Sequence, residues 1–151
     1  MRTIFRSLAV ALMSSVLFYG CSKDDDSNNT TPQSKTQLLT AHSWKLTGSK
    51  LNGVDDFSTI DACDLDDIAT FLSNGTGNLD EGATKCDPAD PQTSPITWSF
   101  QSNETILSID YGGGLVVDAT IVALTTDQLK LTYSYSYLGA TFNIEKTFGK
   151  P

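Results

Sequence analysis

QLKLTYSYSY, residues 128–137, alternates with period two over its whole length. Leu129, Leu131, Tyr133, Tyr135 and Tyr137 fall on one face, and Lys130, Thr132, Ser134 and Ser136 fall on the other. A strand buried on one side and wetted on the other reads this way; a helix, with its 3.6-residue period, does not. The next stretch, ATFNIEKTF (140–148), sets Phe142, Ile144 and Phe148 against Thr141, Asn143, Glu145 and Thr147. Leu138 and Gly139 are left between the two as a tight hairpin connection. This pair of strands decides for an antiparallel sheet, and the rest of the chain extends it.

Upstream, the same alternation predicts strands at Trp44–Leu51, Asp67–Leu72, Thr76–Lys85, Thr97–Ser102, Thr105–Tyr111 and Val116–Leu124. Turn signals separate them: Asn52-Gly53, Asn74-Gly75, Asn103-Glu104, Gly112–Gly114 and Thr125–Asp127. Asn74-Gly75 is the pair best suited to a type I′ turn. A single helical turn at Lys35–Thr40 leads into the first strand. Eight hairpin-linked strands either stack as a sandwich or close into an up-and-down barrel. A closed eight-stranded barrel leaves no edge exposed, and its interior is filled by side chains or holds one small ligand.

The first residues carry an address. Arg2 and Arg6 precede an apolar stretch, Leu8–Phe18, that is shorter than the roughly 20 residues a membrane-spanning helix needs. Residues 1–20 therefore read as an export signal. Gly20-Cys21 at its end resembles the lipobox of bacterial lipoproteins, although Phe18 and Tyr19 are bulkier than the residues usual there. The resemblance implies that Cys21 is acylated and becomes the mature N-terminus, anchoring the chain to a membrane through several acyl chains. Residues 21–35 are polar throughout and read as a flexible stalk, since they bury too little apolar surface to offset their ordering entropy. Lys23 followed by Asp24, Asp25 and Asp26 is similar to the acidic export signal of Bacteroidetes lipoproteins. That likeness implies an outer-membrane lipoprotein exposed on the cell surface.

Removing the signal removes both arginines, leaving 8 lysines against 18 acidic residues, a formal charge of −10. A field of that sign, with no arginine fork for phosphate, excludes nucleic acid as a partner class and disfavours acidic polysaccharides. With Cys21 assigned to lipid, Cys63 and Cys86 remain as an even pair in an exported chain, and a disulfide between them is expected. No histidines stand near them to complete a metal-ligand set.

Residues 36–151 make one domain. Within it, LLTAHSWKLTGSKLNG (38–53), TFLSNGTGNLDEG (70–82) and ITWSFQSNETILSI (96–109) together resemble the lipocalin-like domains of Bacteroidetes lipoproteins. The matching features are Trp44 on the first strand, Cys63 before the second, the Asn74-Gly75 turn, and Cys86 after the third. The resemblance implies an all-β, eight-stranded antiparallel barrel and a non-catalytic role in holding a small apolar or amphipathic molecule. Two features depart from lipocalins proper: His42 stands where they have glycine, two residues before the tryptophan, and no late arginine is present to stack on the indole.

Little else suggests chemistry. His42 is the single histidine and sits in no recognisable nucleophile motif, so no catalytic residue, metal or cofactor is expected. DACDLDD (61–67) gathers four carboxylates without the spacing of a calcium loop and reads as a solvated loop. DPADPQTSP (87–95) reads as turn chemistry. The aromatic residues are the better clue. Trp44, Phe71, Trp98, Phe100, Tyr133, Tyr135 and Tyr137 occupy positions expected to face the interior, where they either fill a core or line a ligand site. Two function classes stay open: a ligand-binding barrel, or a protein-interaction module presenting an apolar patch or a loop at 55–66 or 87–95.

Overall fold

A computed structural model describes residues 32–151. The export signal, Cys21 and the stalk up to residue 31 lie outside the described residues. Nine strands follow a short helix: α1 (Lys35–Leu39), β1 (Trp44–Leu51), β2 (Val54–Asp55), β3 (Ile68–Phe71), β4 (Thr76–Asp80), β5 (Thr93–Gln101), β6 (Ile106–Asp110), β7 (Val116–Leu124), β8 (Leu129–Tyr137) and β9 (Ala140–Gly149). All pairings are antiparallel, in the order β2-β1-β3-β4-β5-β6-β7-β8-β9, and β1 also pairs with β9. That last pairing closes eight strands into a barrel. The two-residue β2 is an appendage that folds back on β1 through the Asn52-Gly53 turn.

Inward residues follow the expected parity. Leu129 and Leu131 of β8, Ile96 and Trp98 of β5, Leu107 and Ile109 of β6, and Trp44 of β1 form one buried cluster with Leu39 of α1. The outer face is polar; there Glu145 receives both Lys50 and Lys130, at 3.0 and 3.5 Å.

α1 closes one end of the barrel. Ser34 and Gln37 form a capping box that satisfies two otherwise orphaned backbone donors. Leu39, fully buried, is driven into the barrel end, and the Trp44 indole donates to its carbonyl oxygen at 2.8 Å. Lys35 reaches the Glu104 carbonyl in the β5–β6 turn, tying the helix across the opening.

The expectations hold in outline and shift in detail. The fourth and fifth strands exchange residues: β4 ends at Asp80 and β5 begins at Thr93, with Pro95 opposite Asn78. The segment before β3 is not plain loop, for it carries a 3-10 turn at Phe57–Thr59 and a one-turn helix α2 at Ala62–Leu65. The Asn74-Gly75 turn is not type I′. Asn74 keeps a negative φ and only Gly75 is left-handed, with φ +83°. Gly75 N donates to the Leu72 carbonyl, and the Asn74 side chain accepts from Thr76 N and Oγ1. This is a three-residue loop ending in a glycine bulge, in which asparagine serves as a side-chain acceptor. At Leu138-Gly139, by contrast, both residues are left-handed, at +49° and +81°, as a type I′ turn requires.

Candidate functional site

Two local departures shape the barrel end opposite α1. First, β1 and β3 pair only at Trp44–Ala69 and Lys45–Ile68; beyond that the segment from Phe57 to Leu65 packs against β1 in place of a neighbouring strand. Second, β7 and β8 pair only as far as Thr120–Thr132, while β8 and β9 stay paired to their turn. The β8–β9 hairpin therefore continues past the barrel wall.

The Cys63–Cys86 disulfide fastens the first of these regions, joining α2 to the loop after β4 with Cα atoms 5.2 Å apart. Asp66 reinforces it by accepting from the backbone N–H groups of Ala83 and Thr84, both at 2.9 Å. Gly82 is required at this contact: it has φ +65°, and a Cβ there would collide with the Asp66 backbone. Cys63, Asp64 and Cys86 lie close together, but both sulfurs are spent in the disulfide and neither is a thiolate ligand.

Between this fastened loop and the α1 end lies a cavity of about 220 Å³. Its deeper wall is apolar, formed by Trp44, Phe71, Ile96, Leu129, Leu131 and Phe148 among others. Its polar groups are Asp64, Asp67, Tyr111, Tyr133 and Lys146. Lys146 donates to Ser49 at 2.9 Å. Burial raises the phenol pKa values of Tyr111 and Tyr133, and the neighbouring Tyr133 raises Tyr111 further. Asp67 is pushed up to about 6, first by desolvation and then by the negative charges of Glu81, Asp64, Asp66 and Asp80. Its Oδ1 is withdrawn from solvent and has no hydrogen-bond partner. A second hollow, near Asp118, Thr132, Asn143 and Glu145, is larger but open and polar, so an apolar molecule gains little there.

The seven aromatic candidates divide into three groups. Trp44, Phe71 and Tyr133 stand on the cavity wall. Trp98 and Phe100 lie off it and build a packed aromatic layer: Trp98 meets Phe71 edge-on at 6.0 Å and Phe100 at 5.3 Å. The Trp98 indole N–H points at the carbonyls of Leu72 and Thr76. Tyr135 and Tyr137 do not reach the interior expected for them. They are 49% and 59% exposed, because their stretch of β8 has no β7 opposite it, and Tyr135 stacks on Phe142 of β9 instead.

Four polar cavity residues escaped the sequence reading: Asp64 and Asp67, read as part of a solvated loop, and Tyr111 and Lys146. Asp67 shares inward parity with Ala69 and Phe71, and Lys146 shares it with Ile144 and Phe148, so extending period two by one step would have placed both inside. Tyr111, one residue past the end of β6, keeps the parity of Leu107 and Ile109. His42 is occupied structurally. Its Nδ1 and Nε2 lie 2.7 and 2.9 Å from the carbonyl oxygens of Ser43 and Thr126, and its ring covers the Trp44 indole at 4.1 Å. The histidine thus covers the tryptophan in a chain without the late arginine.

A family match agrees with this architecture. The family model described as "Lipocalin-like domain" matches residues 40–131, more than half of the chain. No curated protein matches. Among solved structures, a bovine odorant-binding protein, a deswapped triple mutant, is similar at 15% identity over 72% of this chain and 71% of that one, with a TM-score of 0.44. On the family match, the chain belongs to the lipocalin-like domain family.

Proposed function

We propose that this protein is a non-catalytic binding barrel that holds a small amphipathic molecule, tethered to the outer membrane through an acylated Cys21 and displayed at the cell surface. The observation that carries the binding reading is the cavity, with an apolar depth and polar groups gathered about it, inside a disulfide-fastened barrel. Its 220 Å³ is below the roughly 300–1,000 Å³ of drug-sized pockets, so it suits a compact molecule or one end of a longer one. Both ring nitrogens of His42 face backbone carbonyl oxygens instead of a hydroxyl, thiol or carboxylate, which supports the non-catalytic part. The anchoring part rests on the Gly20-Cys21 junction and on Asp24, Asp25 and Asp26.

Native mass spectrometry of the protein purified from its own cells tests the binding reading. A small molecule retained by the wild type and lost from a folded Leu131→Trp variant supports it; an empty wild type opposes it. Labelling with radioactive palmitate, absent from Cys21→Ala, tests the anchor.

A second reading, a protein-contact module, draws on the β8–β9 hairpin. There Tyr135, Tyr137 and Leu138 are exposed, Leu138 at 89%. This patch is separate from the loops at 55–66 and 87–95, which the sequence offers as the alternative contact segments. A retained protein in the same measurement selects this reading.

A further inference from the structure

The cavity's charge is arranged unevenly, and the arrangement specifies a ligand. Asp67 Oδ1 is buried at the cavity with no donor beside it, a state that costs free energy for any carboxylate left charged. The charged groups that act on it are all acids: Glu81 and Asp80 at the end of β4, and Asp64 and Asp66 from the α2 segment. Asp66 is engaged by backbone donors of residues 83 and 84, and Asp80 by Gly82 N and the Gln92 amide. Asp64 and Asp67 form no ion pair among the described residues.

The one cation on the wall does not balance them. Lys146 is held by Ser49 and sits at the Ser49–Lys146 register position, whereas β3 meets β1 at Lys45–Ile68. The two backbones are thus separated by roughly 10 Å along the strands and by two strand spacings of about 4.8 Å across them. The acidic side of the cavity is left with unpaired charge, one Asp67 oxygen withdrawn from solvent while Asp64 stays exposed, beside an apolar wall that includes Phe71 and Ala69.

We propose that the ligand is a cationic amphiphile, a compact hydrophobic or aromatic amine whose ammonium group donates to Asp67 and lies beside Asp64 while its apolar body fills the depth of the barrel. The inference rests on the cavity being a binding site, and it adds the sign and kind of the polar group. An anionic ligand would meet the Asp64 and Asp67 carboxylates on this wall, with the charges of Asp66, Asp80 and Glu81 close behind them. A neutral one could at most donate a hydrogen bond to Asp67 and would leave the acidic charge unopposed. An ammonium supplies both the missing donor and the missing charge.

Calorimetric titration of the full-length protein at pH 7.5 with 2-phenylethylamine and its neutral counterpart 2-phenylethanol tests this. The wild type is expected to bind the amine about ten- to a hundredfold more tightly, the span that a hydrogen bond to a charged group carries. Asp67→Asn should reduce the amine to the affinity of the alcohol and leave the alcohol unchanged, and Asp67→Glu should restore part of the preference. The wild type's preference should also decline as the pH falls through 6, where Asp67 gains its proton. Equal affinities in the wild type, or a preference that survives Asp67→Asn, overturn the amine while leaving the binding barrel standing. Failure of both compounds to bind the wild type overturns the binding reading and this inference with it.

Discussion

The two ends of the barrel solve the same problem differently. At the α1 end, the core side chains are packed and paired. Leu39 is completely buried and Trp44 is 1% exposed; the indole N–H is satisfied, and its ring is covered by His42. At the other end, Asp67 is partly desolvated with one oxygen unpartnered, and closure depends on a disulfide and a loop. One end is built to minimise free energy. The other keeps groups that cost stability, as expected where a molecule must enter and be recognised.

If that contrast is right, the most damaging substitution lies at the α1 end. Trp44→Ala should cost about 3–5 kcal/mol in denaturant unfolding, the range for a fully buried aromatic side chain. Trp44→Phe, which keeps most of the ring and loses the bond to Leu39, should cost markedly less. Replacing Cys63 and Cys86 by serine should cost about 3 kcal/mol on the chain-entropy model for this loop. The two losses should differ in location. In hydrogen exchange, the cysteine variant should lose protection in residues 57–92 while α1 and the Trp44 region stay protected; loss spread evenly over the barrel would break the comparison.

The two ends also differ in how far the sequence revealed them. The β8–β9 hairpin was legible because one wet and one buried face impose strict alternation, and Leu138-Gly139 offers a two-residue turn. The Cys63–Cys86 pair followed from counting. Asn74-Gly75 misled because the dipeptide suits two turn geometries, and the Asn74 side chain, by accepting from Thr76, favoured the one with a negative φ at Asn74. Asp67 and Lys146 were missed because charge was taken to mean solvent, although their parity with Phe71 and Phe148 pointed inward. α2 is a single turn, too short for a 3.6-residue pattern to show.

Asp67 gives the contrast an opposite sign. Its pKa is raised in the folded protein to about 6 from 3.8, so between those values the folded state binds more protons than the unfolded one. Stability then falls as the pH rises through this window and stays reduced above it. Asp67→Asn should stabilise the protein at pH 7 by about 1–2 kcal/mol. That is less than the roughly 3 kcal/mol of the full shift, because part of the carboxyl remains hydrated. The gain should vanish below pH 4. Thermal unfolding of both proteins across pH 3–8 checks this, and a variant no more stable than wild type at pH 7 would show that the acidic end carries no strain.

The smallest expected effect comes from the same strand that defines the fold. Along β8 the alternation is unbroken from Leu129 to Tyr137, yet burial fades from 1% exposed at Leu129 and 5% at Leu131 to 49% at Tyr135 and 59% at Tyr137. Pattern fixes which face a side chain takes; burial also needs something opposite. β7 supplies that only as far as Thr132. Leu131→Ala should therefore cost about 2–5 kcal/mol, while Tyr137→Ser, on the same face of the same strand, should fall within about 0.5 kcal/mol of wild type. Equilibrium unfolding of the two variants measures the difference directly. A Tyr137→Ser cost approaching that of Leu131→Ala would mean that the hairpin is covered in solution, which is what the protein-contact reading requires, whereas a negligible cost leaves its tyrosines as surface beyond the end of the barrel wall.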